Sequence, residues 1–251
     1  MLSALMTAAV LAGSPELGFA FSNEAGDRLL ALTGGSRSFT KATCGGAVLT
    51  VKFEEVQREG PKNNARQTAR NFAQLPGARF AVVGSKVPEN TSCLLGTDAA
   101  FASRQVTTVM ATPDTKCSDK AAALVAKLGK RKVMKCLTTG TFAGGKLHFA
   151  HFADKGVDAL VGVVLEPDDG PAAMKSFAAK RVKDSPSCWR VDDGCEFDPS
   201  SYRVVAALTG RAGLELFALW GGAESENLEL LRTKGAELMP GLIGSRYWSP
   251  E

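Results

Sequence analysis

Apolar and polar side chains alternate along residues 47–56, AVLTVKFEEV, where Leu49, Val51 and Phe53 share one face and Thr50, Lys52 and Glu54 the other. A period of two marks a half-buried strand, because successive side chains leave opposite faces of the pleat. The pattern changes in PKNNARQTARNFAQLPG. Asn63 or Asn64 supplies an N-cap, helix formers follow and Pro76-Gly77 stops the run, which predicts a surface helix. Three short apolar or β-branched runs come next, ARFAVVGSK, TSCLLGTDAAF and RQVTTVMAT, and predict an antiparallel meander.

In KCSDKAAALVAKLGKRK, Ser118 caps, Asp119 complements the helix dipole, and Leu124, Val125 and Leu128 form an apolar stripe ending at Gly129 and basic residues. This predicts a helix. KVMKCLTTG, KLHFAHFA and DALVGVVLEP predict three more strands, and DDGPAAMKSFAAKRV, with Pro171 near its first turn, predicts another helix. Three strands and a helix thus occur twice, an order compatible with an internal duplication, although few residues match between the halves. YRVVAALTGRAGLELFALWGG reads as a hairpin around residues 209–213. In its second arm Leu214, Leu216, Ala218 and Trp220 face one way and Glu215, Phe217 and Leu219 the other, so both faces are buried. NLELLRTKGAELM continues the sheet through a Lys234-Gly235 turn or forms a short helix, and strand is preferred.

The expected fold is therefore α+β, mostly antiparallel sheet with two or three helices, stapled by disulfides. Either residues 21–251 form one domain, or two lobes meet near residues 167–186.

Composition narrows the class of protein. The chain has 251 residues, 45% hydrophobic and 22% charged, within the ordinary globular range. Thirty Lys and Arg against 26 Asp and Glu leave +4, too mild to argue for nucleic acid or an anionic membrane. The opening MLSALMTAAVLAGSPELGFAFSNE is uncharged from Leu2 to Pro15, with an apolar run of about eleven residues, the length of a secretory core and too short to span a bilayer. It predicts a signal peptide over residues 1–20, cut after Ala12 or Ala20, although no Lys or Arg precedes the run; a buried N-terminal helix is the alternative.

Cys44, Cys93, Cys117, Cys136, Cys188 and Cys195 form an even, dispersed set that fits structural disulfides in an oxidising compartment. Sequence neighbours close the smallest loops, which predicts Cys44 with Cys93, Cys117 with Cys136 and Cys188 with Cys195. The expectation is export, to the periplasm or beyond, with no integral membrane segment in the mature chain.

Candidate chemistry is sparse. Ser38 and Lys41 in SFTK have Ser-x-x-Lys spacing, but they enter a strand and no Lys-Thr-Gly follows. There is no Gly-x-Ser-x-Gly elbow, and VVGSK lacks the rest of a phosphate loop. His148 and His151 point to opposite faces of a strand and make a poor zinc pair, so they read as surface or half-buried residues. Asp168-Asp169 and Asp192-Asp193 have local roles, Asp169 as a helix cap and Asp193-Gly194 as a turn. Lys127, Lys130, Arg131, Lys132 and Lys135 form the most plausible anion surface. Trp189, Trp220, Tyr247 and Trp248 read as core aromatics, except that a pair so near the terminus must dock back or expose itself. In SCWRVDDGCEF a tight Asp-Gly hairpin and a Cys188–Cys195 bond exclude each other, so the bond requires residues 190–193 to form a loop or the segment to make an Ω-like excursion.

No catalytic residue, metal or cofactor is assigned. The reading is an exported, disulfide-stapled binding or interaction protein for an unknown protein or small-molecule partner. The alternative is an extracytoplasmic, hydrolase-like enzyme with an unfamiliar carboxylate or histidine site.

Overall fold

The apolar residues after the opening stretch form a strand, β1 (Leu17–Ser22), buried along its whole length. Phe19 packs outward and Ala20 inward, so neither face meets water. The structure, a computed structural model, describes residues 16–32, 37–183, 185–190, 193–211, 213–222 and 224–248. The proposed leader up to residue 15 lies outside the described residues. A cut after Ala12 leaves β1 whole, whereas a cut after Ala20 removes most of it.

Strand β1 pairs antiparallel with β2 (Arg28–Ala31) and β6 (Ser92–Gly96). With β3 (Lys41–Thr43), β4 (Val48–Gln57) and β5 (Gly77–Val83), these close a six-stranded barrel in the order β1-β2-β5-β4-β3-β6. Its interior holds Leu29, Phe39, Val51, Phe80 and Leu95, among others. The Cys44–Cys93 disulfide joins the segment after β3 to β6.

Helix α1 (Asp98–Ala102), capped by the Thr97 hydroxyl, leads into a second sheet. In chain order its strands are β7 (Arg104–Thr108), β8 (Met110–Lys116), β9 (Val133–Phe142), β10 (Gly145–Phe152), β11 (Asp158–Pro167), β12 (Ala173–Lys180), β13 (Tyr202–Gly210), β14 (Gly213–Gly221), β15 (Ser225–Lys234) and β16 (Glu237–Tyr247). The spatial order is β7-β13-β14-β15-β16-β12-β11-β10-β9-β8. Its terminal strands, β7 and β8, are consecutive in the chain with only Val109 between them, so the sheet wraps until its edges nearly meet. Among the described residues every pairing is antiparallel except β12 with β16, a parallel contact one residue pair long, Met174 with Glu237. Phe149, Val161, Leu165, Phe177 and Leu216 fill the interior. The stretch near residues 167–186 takes in the end of β11 and all of β12, both within this sheet, and α1 lies between the two sheets in the chain.

Helix α2 (Asp119–Gly129) forms where expected, with the Ser118 hydroxyl accepting from Ala121 N–H. Val125 and Ala121 cover Phe152 and Met174 on the outside of the sheet. The left-handed cap is Lys130, at φ 52°. Gly129 remains helical, and a Cβ there would lie 2.1 Å from the Phe152 ring.

The α+β expectation is overturned: strands make up 55% of the structure and helices 10%. Residues 173–180, expected as helix, are β12, paired residue by residue with β11. Ala and Lys favour helix, but burying Met174 and Phe177 on the sheet outweighs that weak preference. The helix expected at 61–77 reduces to a single 3₁₀ turn, Phe72–Gln74. There the side chains of Asn63 and Asn64 accept from the N–H groups of Ala65 and Arg66, and Gln67 N–H bonds to Tyr247 O, so the backbone has partners other than its own helix. The runs expected as one meander separate: β5 and β6 go to different neighbours in the barrel and β7 joins β13. The duplicated unit goes with them. The β9-β10-β11 succession, the β13–β14 hairpin and the β15–β16 hairpin do form.

The two sheets share a core in which Leu17, Phe19, Leu94 and Phe101 meet Leu208, Phe217, Leu219 and Leu230. Each fully buried Phe or Leu of this kind contributes roughly 2 kcal/mol. Phe19 stacks on Phe217 at 5.7 Å, and Gly244 lets β16 approach the same ring, since a Cβ would lie 2.7 Å from it. Beside this apolar contact Arg246, 1% exposed, reaches from β16 to the outer face of the barrel, where Phe21 lies. Its guanidinium donates to Gln67 O, Asn90 O and the Ser92 hydroxyl at 2.7, 2.8 and 3.1 Å, and to the Asn90 side chain. Ser92 donates in turn to Glu226, the cross-strand partner of Arg246. The guanidinium lies 4.5 Å from the Phe21 ring and 5.0 Å from Trp248, and burial pushes its pKa down to about 10. The terminal aromatics thus differ: Trp248 docks under Arg246, while Tyr247 is exposed.

Candidate functional site

The structure joins Cys44 to Cys93, Cys117 to Cys136 and Cys188 to Cys195, with Cα separations of 4.2, 5.4 and 4.8 Å. Three disulfides point towards an oxidising, extracytoplasmic location. Among the described residues no helix is long and apolar enough to cross a membrane. The basic residues lie where α2 ends and β9 begins: Lys127, Lys130, Lys132 and Lys135 are exposed, and Arg131 donates to Asp158 O. Lys41, from the Ser-x-x-Lys match, lies on β3 and pairs with Asp98. Asp169 caps no helix, because the segment it was to start is β12.

Between β12 and β13 the chain makes an excursion in which none of the described residues of 185–198 belongs to a strand. Asp193 organises it. Its carboxylate accepts from the N–H groups of Cys188, Trp189, Arg190 and Cys195 at 2.9, 2.7, 2.8 and 2.8 Å. Burial alone would raise its pKa, but these donors outweigh it and hold the carboxyl below its ordinary range. Gly194 and Cys195 then take left-handed φ values of 60° and 57°, which turns the chain back to the disulfide. The Asp-Gly pair is therefore a carboxylate hub followed by a left-handed turn, and Asp192 lies outside the described residues.

The hub carries Trp189 and Arg190 to the end of the second sheet. Trp189 donates its indole N–H to Phe177 O and packs edge-on to Phe197, which stacks against Trp220. Trp189, Arg190, Trp220, Glu224, Ser225 and Asn227 line a cleft of about 430 Å³. Among the described residues, two buried side-chain donors have no hydrogen-bond partner, Arg190 Nε and Trp220 Nε1, and both belong to residues that line this cleft. A buried donor without an acceptor costs roughly 1–3 kcal/mol, which makes the coincidence informative.

The second candidate region is the seam where the sheet edges approach each other. Strand β8 follows β9 from Met110 to Ala111, then bows away: the register resumes at Thr115 opposite Thr138, so residues 112–114 bypass Thr139. Strand β9 has its own irregularity at the same place, where the pairing steps from Leu147 with Gly140 to His148 with Thr138. On the inner side Thr139, Val109, Leu147, Phe149 and Tyr202 help to line an apolar cavity of about 300 Å³. The outer side is polar. There a pocket of about 280 Å³ is lined by Thr115, Ser118, Thr138, Lys146, His148 and Glu166, among others.

His148 is 1% exposed, which corrects the surface or half-buried expectation. Its Nε2 lies 2.8 Å from Glu166 Oε2 on β11, and its Nδ1 lies 3.1 Å from Thr138 Oγ1 on β9. Cys117 Sγ, oxidised and without a proton, is 3.8 Å from Nδ1. In the neutral ring the carboxylate accepts from Nε2–H, which leaves Nδ1 to accept from the Thr138 hydroxyl. His151 leaves the other face, half-buried, with Nε2 3.3 Å from Phe197 O. Burial is the main cause of its lowered pKa, supported by Lys135 and Arg181 and opposed by the Phe197 carbonyl.

No protein-family model, curated protein or solved structure matches this chain. In sequence Trp189 and Trp220 read as core aromatics and Asp193 as a turn residue; only the chain's return through Cys195 shows that these residues share one site. Nothing in the sequence singles out Thr138 or Glu166. The available signal was that Lys146 and His148 share a strand face, but strand offsets, and hence cross-strand partners, cannot be read from alternation alone.

Proposed function

We propose that the protein is an exported binding protein whose cleft between Trp189, Arg190 and Trp220 takes a small planar anion. The two unpartnered donors lining this cleft carry the reading. An acceptor group on the ligand offsets the cost of leaving both unmade, Arg190 favours a negative charge, and the indole surfaces favour a flat apolar body. Glu224, exposed in the same lining, disfavours a second negative charge. Neither donor atom is open to solvent, so the ligand reaches them as the wall adjusts. The wall suited to adjust is segment 185–198, held by the Asp193 hub and a disulfide instead of a strand ladder.

The test is titration of the full chain with a planar monoanion, 2-naphthoate, followed by tryptophan fluorescence and by calorimetry. Saturable binding is expected, weakened at least tenfold by Arg190→Met and several-fold by Trp220→Phe, which keeps an aromatic ring but removes the donor. Unchanged fluorescence and no heat across a range of such anions would sink the assignment. The export half is checked by the N-terminal mass of the protein recovered outside the cytoplasm, with the cut expected upstream of Leu17.

A further inference from the structure

We propose that the outer side of the β8–β9 bow is a hydrolytic site for short-chain esters, with Thr138 as nucleophile, His148 as general base and Glu166 as the residue that positions the imidazole. Three adjacent strands, β9, β10 and β11, each supply one member. The order is hydroxyl, imidazole, carboxylate, at 3.1 and 2.8 Å. A nucleophile within hydrogen-bond reach of a base, itself oriented by a third group, is the general signature of an activated hydroxyl. A buried histidine satisfied by two partners would show the same distances, so the surrounding backbone matters. The step in register on β9 sets Thr138 directly opposite His148, and the bow in β8 opens a pocket over that hydroxyl. Bulges commonly re-aim side chains beside active sites. Lys146, two residues before His148 and paired across the ladder with Glu166, lines the same pocket and adds a positive charge to its wall, which favours a developing oxyanion. The pocket volume, about 280 Å³, and its hydroxyl-rich wall suit a short polar acyl group.

In the reaction the Thr138 proton passes to His148 Nδ1 as Oγ1 bonds to the ester carbonyl carbon and the carbonyl π pair moves onto oxygen. Collapse reforms the carbonyl and breaks the bond to the alkoxide, which takes the proton from Nδ1 and leaves as alcohol. Water, deprotonated through the same nitrogen, then cleaves the acyl-threonine, releases the carboxylic acid and restores the hydroxyl. No oxidant or further reactant is needed.

The experiment treats the folded full chain with a small alkyl fluorophosphonate, which exchanges its P–F bond for a P–O bond to an activated hydroxyl, and maps the adduct by peptide mass. Hydrolysis of p-nitrophenyl acetate is followed in parallel. A stoichiometric adduct on Thr138 is expected, retained in Thr138→Ser and absent in Thr138→Val, a near-isostere that keeps strand preference and volume. His148→Gln should lower labelling and turnover about 100-fold or more. Glu166→Gln should lower them at least tenfold and displace the pH profile, which a purely structural carboxylate would not do. No adduct on the folded wild type, an adduct on Ser118 or another hydroxyl, or labelling that persists in Thr138→Val would each overturn the assignment.

Discussion

The two sheets deal with the same problem, the unpaired strand edge, in different ways. The six-stranded barrel closes through hydrogen bonds all round, β1 to β6 completing the ring. The ten-stranded sheet closes less completely, by a one-residue link at Val109 and a single-pair parallel contact between β12 and β16. Both candidate sites lie in the second sheet. One is at the bowed edge strand β8, and the other is under the excursion that leaves β12. A ring with a full ladder has no backbone to spare, whereas an interrupted one leaves edges and loops to open pockets.

The largest effect expected from this contrast concerns the disulfides. Replacing Cys44 and Cys93 by Ser opens a link 49 residues long in sequence and should cost about 4 kcal/mol, against about 2.5 kcal/mol for Cys188 and Cys195, which are 7 apart. Guanidinium unfolding of the two double variants measures both. A larger loss from the short clip would show that the second sheet depends on segment 185–198 more than its strands suggest.

Next in size is the polar pin between the two bodies. Arg246→Met removes the donors to Gln67, Asn90 and Ser92 and leaves Glu226 without its positive neighbour, so about 3 kcal/mol of stability should be lost. The more informative reading is cooperativity: intrinsic fluorescence and amide exchange should report one transition in the wild type and two in the variant. A single unchanged transition would leave the apolar contact of Phe19 with Phe217 sufficient by itself.

The smallest effect is a pH dependence confined to the second sheet. His151 has a pKa below its ordinary 6.5 in the folded chain, chiefly through burial. As pH falls through 6.5 the unfolded chain binds a proton that folded His151 refuses, so stability present above 6.5 is lost on acidification. His151→Phe should flatten that slope in urea midpoints between pH 7 and pH 5, and an unchanged slope would assign it to other groups.

The same contrast explains what could be read in the sequence. The second sheet is mostly local: β9 to β11, β13 with β14 and β15 with β16 join neighbours through short turns, and alternation with turn residues is enough to find them. The barrel is non-local. Ala20 pairs with Cys93 and Arg28 with Ala81, and nothing in either segment names its partner. The error at AAMKSFAAK is one of context, since a helix-favouring composition is overruled once Phe177 has a core to enter. Of the sites, the cysteine pairs were legible because loop closure ranks them. The Thr138–His148–Glu166 row was not, because it depends on a one-residue step that alternation does not record.

The one-residue link at Val109 also bears on how this chain avoids its own kind. An open sheet ends in two rows of unpaired backbone groups, each a template on which another chain can add a strand. Because the first and last strands of the ten-stranded sheet are neighbours in sequence, a single residue holds them together while the remaining strands fill the space between. Assembly thus nearly closes the sheet on itself, so that folding and protection from aggregation are one event.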